Sequence, residues 1–585
     1  MKMKNSEDDE DVYTTESMLN SFYIQDLRGV AKPQTDVSRP LANFLWATSE
    51  NITRFDLRSQ KGLGTAYKLL APTVFPIGKW PSEHPMAFSQ QVSVNALRWF
   101  FFNRKTGYTP HIFAVNGPPG TGKTTMLKDV IASVIVDRAM ALSQLCTPKD
   151  AFTGEGKASF GKLSFSYAHL VPSLQGTAIV VASSNNGAVE NISLELPVLK
   201  QDDRVWSHTS QDQEVDYFGA LARKLVNKDD TWALLTARLG RKSNRREFLT
   251  NFWFGENGQE NKEATPDVAN SMMGWLDALR KNKACPEQTW GQAISKFHAA
   301  VAAEDGIRKK YQELYSLPGE VEQHASKVKS AKESLDSALT AKDRAAQLLQ
   351  DSLSGLSDRH RRVEGAKERF ANAMALKPGF LENLFSLWKT QKEWRRSAVD
   401  AREALEIAQK ELGVHETVTM RLKSDLQAAE MAAEKNERST QRLSARHDEL
   451  LIALKNAKAS LGKHWPDMTM PDSQREMASF WSTEEWRVAQ IEVFLAALAL
   501  HRAFIENAPD EMYKNLSFAA QWLQGRSMSD DMAQVALDSL ALVVPVISST
   551  FASAGRMLRN INREGIGWLL IDEAGQARPQ EALGM

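Results

Sequence analysis

The chain of 585 residues has only two cysteines, Cys146 and Cys285, far apart, which excludes a disulfide framework and a zinc knuckle. Its 11 histidines form no metal-ligand spacing. Neither sign of charge is in excess. Lys+Arg 72 balances Asp+Glu 72, so affinity for nucleic acid has to come from a local groove and not from overall charge. No apolar run reaches the roughly 18 residues of a membrane span. The nearest, Phe494-Leu-Ala-Ala-Leu-Ala-Leu500, is bounded by Glu492 and Arg502. The N-terminal Ser6-Glu-Asp-Asp-Glu-Asp11 is acidic, unlike a secretory signal or a mitochondrial presequence. These absences predict a reduced, cytoplasmic protein without a membrane segment. The length predicts several domains.

What is present centres on residues 116–125, Asn-Gly-Pro-Pro-Gly-Thr-Gly-Lys-Thr-Thr. An apolar stretch, His111-Ile-Phe-Ala-Val115, precedes it and reads as a strand; a helical pattern follows from Met126 to about Leu142. Strand, glycine-rich turn and helix in that order are the setting of a phosphate loop. Gly117, Gly120 and Gly122 let the backbone turn its N–H groups inward, and Pro118, Pro119, Thr121 and Thr125 complete the loop. Lys123 would reach the β- and γ-phosphates, and the Thr124 hydroxyl would be a ligand of Mg²⁺. The ligand predicted from the loop is a nucleoside triphosphate. Upstream, Gln90 has a side-chain amide able to donate to and accept from an adenine edge.

The rest divides by pattern. Residues 1–84 run from an acidic head to Pro72, Pro76 and Pro81, and read either as a small accessory domain or as packing against the nucleotide-binding part. Residues 85–200 hold the loop, a Gly-, Ser- and Lys-rich surface insertion at 146–175, and a buried parallel strand, Thr177-Ala-Ile-Val-Val-Ala182. That strand ends in Ser183-Ser-Asn-Asn-Gly, polar residues at a carboxyl edge, where ligands bind or a helix is capped. Residues 201–320 read as a helical insertion whose basic stretch, 238–246, is a solvated face.

Residues 321–461 carry heptads. Val321, Val328, Leu335, Lys342, Leu349, Leu356, Val363 and Phe370 form one ladder; Leu422, Ala429, Asn436, Leu443, Leu450 and Ala457 form a second. Pro378-Gly379 stops the helix between them, so the pattern predicts an antiparallel hairpin with arms on the order of 80–100 Å. Its tip carries Trp388, Lys389, Lys392, Trp394, Arg395 and Arg396, suited to gripping nucleic acid or a protein partner, or to capping the hairpin's own apolar end. After a helical return over 462–540, residues 541–585 read as strand again, in Leu542-Val-Val-Pro-Val-Ile547 and Gly567-Trp-Leu-Leu-Ile571. The last strand ends in Asp572-Glu573. Asp572 would hold the Mg²⁺ shell, and Glu573 would position and deprotonate the attacking water.

At 572–580, Asp-Glu-Ala-Gly-Gln-Ala-Arg-Pro-Gln, the chain resembles motif II of superfamily-1 helicases of the Upf-like group. Residues 117–124 look like motif I of that family and 183–189 are similar to motif Ia. Residues 548–551 stand where motif Ic does, and Gln90 where the Q motif does. The resemblance implies an α/β fold: a RecA-like P-loop lobe with a parallel sheet, interrupted by a large helical insertion bearing a coiled-coil hairpin. It also implies an ATP-driven helicase or translocase on DNA or RNA. In it Gln576 would couple the γ-phosphate to a second lobe, and Ser184 and Asn185 would touch single-stranded nucleic acid. The chain departs from the family in the size of the insertion and in stopping at Met585, before a second lobe. The expectation is a fragment that binds ATP but hydrolyses it very slowly and does not unwind duplexes.

Two ATPase classes fit less well. An SMC-like coiled-coil ATPase needs a Leu-Ser-Gly-Gly-Gln-type signature, and the similar Leu353-Ser-Gly-Leu356 lies inside the first coil arm. AAA+ ATPases share the Gly-Pro-Pro-Gly-Thr-Gly-Lys-Thr string but place the second motif closer and lack the Ala-Gly-Gln. The remaining alternative is a non-catalytic nucleotide-binding scaffold displaying a coiled coil.

Overall fold

The computed structural model describes residues 22–32, 37–46, 59–82, 84–103, 107–108, 112–118, 120–198, 216–255, 271–467, 470–476 and 480–585. They form two compact units, Met1–Glu313 with Leu461–Met585, and Leu314–Ser460. In chain order the first unit holds α1 (Phe88–Phe101), α2 (Lys123–Leu142), β1 (Phe152–Phe160), β2 (Leu163–Leu170), β3 (Ile179–Ser183), α3 (Asn186–Glu195), β4 (Thr236–Arg238) and α4 (Lys242–Phe248). The second unit consists of most of α5 (Trp290–Ala375), then α6 (Phe380–Phe385) and α7 (Lys389–Leu461). The first unit resumes with α8 (Glu484–Asn507), α9 (Pro509–Leu523), α10 (Asp530–Val543), β5 (Val546–Thr550), α11 (Phe551–Met557) and β6 (Trp568–Ile571). The chain is mostly helical around a small parallel sheet.

The sheet has four strands in the order β4-β5-β3-β6. Strand β3, Ile-Val-Val-Ala-Ser, is buried at every position and is paired in parallel on both sides. Val180 stands level with Ile547 of β5 and Leu569 of β6, and Ala237 of β4 stands level with Ile547. A run with β-branched residues and no apolar/polar alternation suits a strand covered on both faces. The remaining strand expectations fare unevenly. Leu542 and Val543 belong to the end of α10, and the strand begins only after Pro545, at Val546. Pro545 has no N–H to give a ladder, so the strand starts beyond it. Strand β4 comes from the insertion, which was expected to be helical. Residues 112–118 belong to no strand of the described sheet, and His111 lies outside the described residues. Ile112 and Val115 are more than a third exposed, and Phe113 packs on the Phe100 ring at 6.2 Å. Without a ladder beside it, an apolar run does not settle into a strand.

The surface insertion at 146–175 is an antiparallel hairpin, β1 with β2. Its inner face rests on α9, where Tyr167 stacks on Phe518 at 4.4 Å and the Asn515 side chain bonds both backbone groups of Ala168. The described residues 59–82 belong to the first unit and pack within it. Lys79 forms a buried ion pair with Asp129 of α2 at 2.5 Å, and its N–H donates to the Gln490 carbonyl of α8. Helix α8 is long and apolar enough to cross a membrane, yet 78% of its apolar window is buried within this fold. It is a core helix.

In the second unit the heptads pair as expected. As the position in α5 falls from Ala373 through Ser352 to Ser334, its hydrogen-bonded partner in α7 rises from Trp394 through Thr419 to Asn436, which is antiparallel register. A second seam, with Ala331, Ala338, Ala345, Ser352 and Ala366, runs beside the first ladder. Its small residues gave the sequence little apolar signal. Helix α5 ends at Ala375, just before Lys377-Pro378, as the steric restriction ahead of proline requires. The tip is only partly capped. Trp394 donates to the Ala373 carbonyl at 2.7 Å with Lys377 over its ring, while Phe380, Phe385 and Leu387 are 73%, 86% and 89% exposed.

A buried polar cluster holds the far end of α2. Arg138 donates to His501 Nε2 at 2.9 Å and to the Ala541 carbonyl at 2.7 Å. Asp538, buried beside it, accepts the Gly176 N–H at 3.0 Å and Gln534 Nε2 at 3.1 Å. Burial, then the Arg138 charge, pushes His501 down to about 3; burial pushes Asp538 up to about 6. The signs oppose. Asp538 contributes stability that is complete below its unfolded value near 3.8 and is lost as pH rises through about 6. His501 contributes stability present above 6.5 and lost as pH falls toward about 3. Between those limits the two slopes cancel in the parent. Asp538→Asn keeps an acceptor for Gly176 and should raise stability at pH 8 by on the order of 2 kcal/mol. On acidification from pH 6 to 4 the variant should then lose about 1.4 kcal/mol per pH unit relative to the parent. Denaturant unfolding across that range checks this; parallel pH profiles of variant and parent would contradict it.

Candidate nucleotide site at the carboxyl edge of the sheet

Helix α2 opens at Gly122, whose φ of 76° is left-handed; Gly120 is likewise at 80°. Side chains resist those angles, which explains glycine at both positions. Lys123 turns its ammonium back over the loop and donates to the carbonyls of Gly117 at 2.6 Å and Pro118 at 3.0 Å. Thr121 Oγ1 closes the turn on the Pro118 carbonyl at 2.8 Å. Thr124 is half-buried in the first turn of α2 and Thr125 is exposed; Pro119 lies outside the described residues.

Gln90 is brought to the loop, but its amide is engaged with the protein. Nε2 donates to the Thr121 carbonyl at 2.7 Å, and Oε1 accepts the Ala87 N–H at 2.9 Å. A Cβ on Gly122 would stand 2.0 Å from that same Nε2. The sequence found the residue by its position; its grip on the loop depends on a fold that pattern does not reveal.

The direction of α2 follows from its other contacts. Arg138, late in the helix, bonds Ala541 just ahead of β5 and lies beside Asp538, which holds Gly176 just ahead of β3. Val130, Ser133 and Val134 share a small cavity with Trp568, the first residue of β6. Arg138 therefore marks the amino edge of the sheet. At 1.5 Å per residue, Lys123 lies about 22 Å further along the axis, toward the carboxyl edge.

On that edge β6 gives way to Asp572, half-buried, whose N–H donates to the Ala182 carbonyl of β3 at 3.0 Å. Glu573 is exposed in the left-handed region at φ 51°, and the Gln576 N–H closes a turn on its carbonyl at 2.8 Å. A non-glycine residue held there carries strain, and strain of this kind collects at functional sites. Next along the edge, β3 is followed by exposed Ser184 and Asn185. Asn185 Oδ1 accepts the Gly187 N–H at 2.9 Å, so it does cap α3. Beyond that, β5 ends at Thr550, and the buried hydroxyls of Ser193 and Ser548 meet at 2.6 Å.

Compared with known protein families, with curated proteins and with solved structures, the chain matches none. The site's chemistry therefore rests on its own residues. Removing the Gln90 clamp should loosen the loop by about one hydrogen bond, roughly 1 kcal/mol. We expect Gln90→Ala to speed amide exchange across 117–125 about fivefold. Gly122→Ala, which adds backbone strain, should do more. Unchanged exchange in both variants, read by mass spectrometry, would show that the loop does not depend on these contacts.

Proposed function

We propose that the first unit is a RecA-like P-loop lobe that binds ATP with Mg²⁺ and acts as a helicase-like ATPase on single-stranded DNA or RNA. The observation that carries the reading is the phosphate loop: two left-handed glycines open α2, and the Lys123 ammonium is folded over the loop carbonyls. The loop amides and that ammonium suit the charge of a triphosphate. Thr124 and Asp572 are the hard oxygen donors that fit Mg²⁺, an ion that takes its remaining ligands from phosphates and water. The ion would neutralise charge on the phosphates. Glu573, exposed at the strand end, would take a proton from water, and Gln576 would sense the γ-phosphate. Ser184 and Asn185 would meet the nucleic-acid backbone. The resemblance to the Upf-like helicases at 117–124, 183–189 and 572–576 agrees with these roles.

The open apolar tip of the hairpin supports a second role, display of a surface to a protein partner. It is compatible with the ATPase reading.

Glu573→Gln keeps the shape of the side chain and removes its basicity. It should lower ATP hydrolysis at least about 10²-fold while leaving ATP affinity within about twofold. Steady-state hydrolysis beside equilibrium binding makes the comparison. Equal rates in parent and variant would overturn the assignment of Glu573 as the base.

A further inference from the structure

The stretch at 238–246 reads in the sequence as a solvated face, and the fold gives it a specific place. Leu239 continues from β4 with its N–H on the Ser548 carbonyl. Gly240 is pressed against the end of β5, where a Cβ would stand 2.5 Å from Ser549 Oγ and 3.1 Å from Ser553 Cβ. Helix α4 then lies at the same carboxyl edge as Thr550 and Ser184. Arg241, Lys242 and Arg246 are exposed on it. Arg245 is half-buried, donates to the Leu239 and Gly240 carbonyls at 3.2 and 2.9 Å, and has its pKa lowered by burial and by the nearby Arg556 of α11.

Several exposed arginines elsewhere in this chain are paired with acids. On the hairpin, Arg361, Arg402, Arg438 and Arg446 each take a carboxylate three or four residues away. That is how a solvated helix face is usually laced. Arg241, Lys242, Arg245, Arg246 and Arg556 have no carboxylate partner among the described residues, and the one acid in α4 is Glu247. Two guanidinium groups held close without a counter-charge repel, and a polyanion relieves that repulsion. The cluster is not part of the nucleotide site. Strands β4 and β6 are at opposite ends of the sheet order, about 14 Å apart at the usual spacing.

Resting on the helicase reading, we infer that Arg241, Lys242, Arg245, Arg246 and Arg556 form a contact for the phosphate backbone of a single-stranded nucleic acid. The strand would cross the carboxyl edge past Thr550 and Ser184. The contact is to phosphate and not to base edges, so it is indifferent to sequence. A phosphate clamp contributed by α4 and α11 explains why an insertion-borne segment is tied so tightly to the end of β5.

The test uses the full chain with Mg²⁺ and a non-hydrolysable ATP analogue. Labelled homopolymer DNA and RNA of about 20 nucleotides are the probes, read by fluorescence anisotropy over a salt series. The variant neutralises the three exposed cations of the 238–246 stretch, Arg241→Gln, Lys242→Gln and Arg246→Gln together. A control neutralises Arg402, Arg438 and Arg446 in the same way. The parent and the control should bind alike. The α4 variant should bind at least tenfold more weakly at low salt, with a slope of log affinity on log salt shallower by about 2. Its affinity for ATP should be unchanged. If the parent binds and the α4 variant matches it in affinity and slope, or the control loses as much, the inference fails and the helicase reading stands. If the parent binds neither polymer, the helicase reading fails and this inference with it.

Discussion

Everything at the candidate site depends on one buried ladder. Strand Ile179–Ser183 is hydrogen-bonded in parallel on both sides, to Val546–Thr550 and to Trp568–Ile571, segments that follow it only after the whole helical insertion. A slip of one residue would turn every buried side chain of a fully covered strand to the opposite face, so the register is strongly specified. With the register set, the strand ends align, and Ser184, Thr550 and Asp572 reach one edge. The N–H of Asp572 on the Ala182 carbonyl is the last rung of that ladder. The carboxylate's position thus follows from backbone pairing, since among the described residues its side chain makes no hydrogen bond or ion pair.

The opposite edge is held by different physics. Arg138, His501 and Asp538 are buried together with Tyr217, whose hydroxyl donates to the Val543 carbonyl at 2.8 Å. A buried guanidinium is tolerated because neutral His501 accepts from it, Ala541 accepts from it, and Asp538 supplies negative charge nearby. The result is a polar anchor that fixes the far end of α2 while the near end stays open to solvent. A helix pinned at its tail and clamped at its head by Gln90 presents a preorganised loop.

The sequence made some of this legible and hid the rest for physical reasons. Local chemistry read mostly correctly: the glycines at 120 and 122 do take left-handed angles although Gly117 does not, Pro378 does end a helix, and the heptads do pair antiparallel. An apolar run without alternation marked 177–182 as a buried parallel strand, and the strand formed is Ile179–Ser183. What failed needed neighbours far away in sequence. Residues 112–115 have a strand's composition but no place in the described ladder, and Thr236-Ala-Arg238 became a strand only because Val546–Thr550 offered an edge. Gln90 could be located but not its partners. The cations of α4 looked like any solvated run because the pattern cannot show that Arg556 lies near Arg245 or that no carboxylate among the described residues pairs with them. The alanine seam of the hairpin was silent because small residues carry little hydrophobic signal, although they set how closely the arms approach.

The central claim is that residues 117–125 bind the phosphates of ATP through the loop amides and the Lys123 ammonium. Titration calorimetry of the full chain with ATP and Mg²⁺, beside Lys123→Ala, tests it most directly. The account predicts saturable binding to the parent and at least about a tenfold loss in the variant, the scale of one charge-assisted contact to phosphate. Equal affinity in the two proteins, or no binding to either, would contradict it.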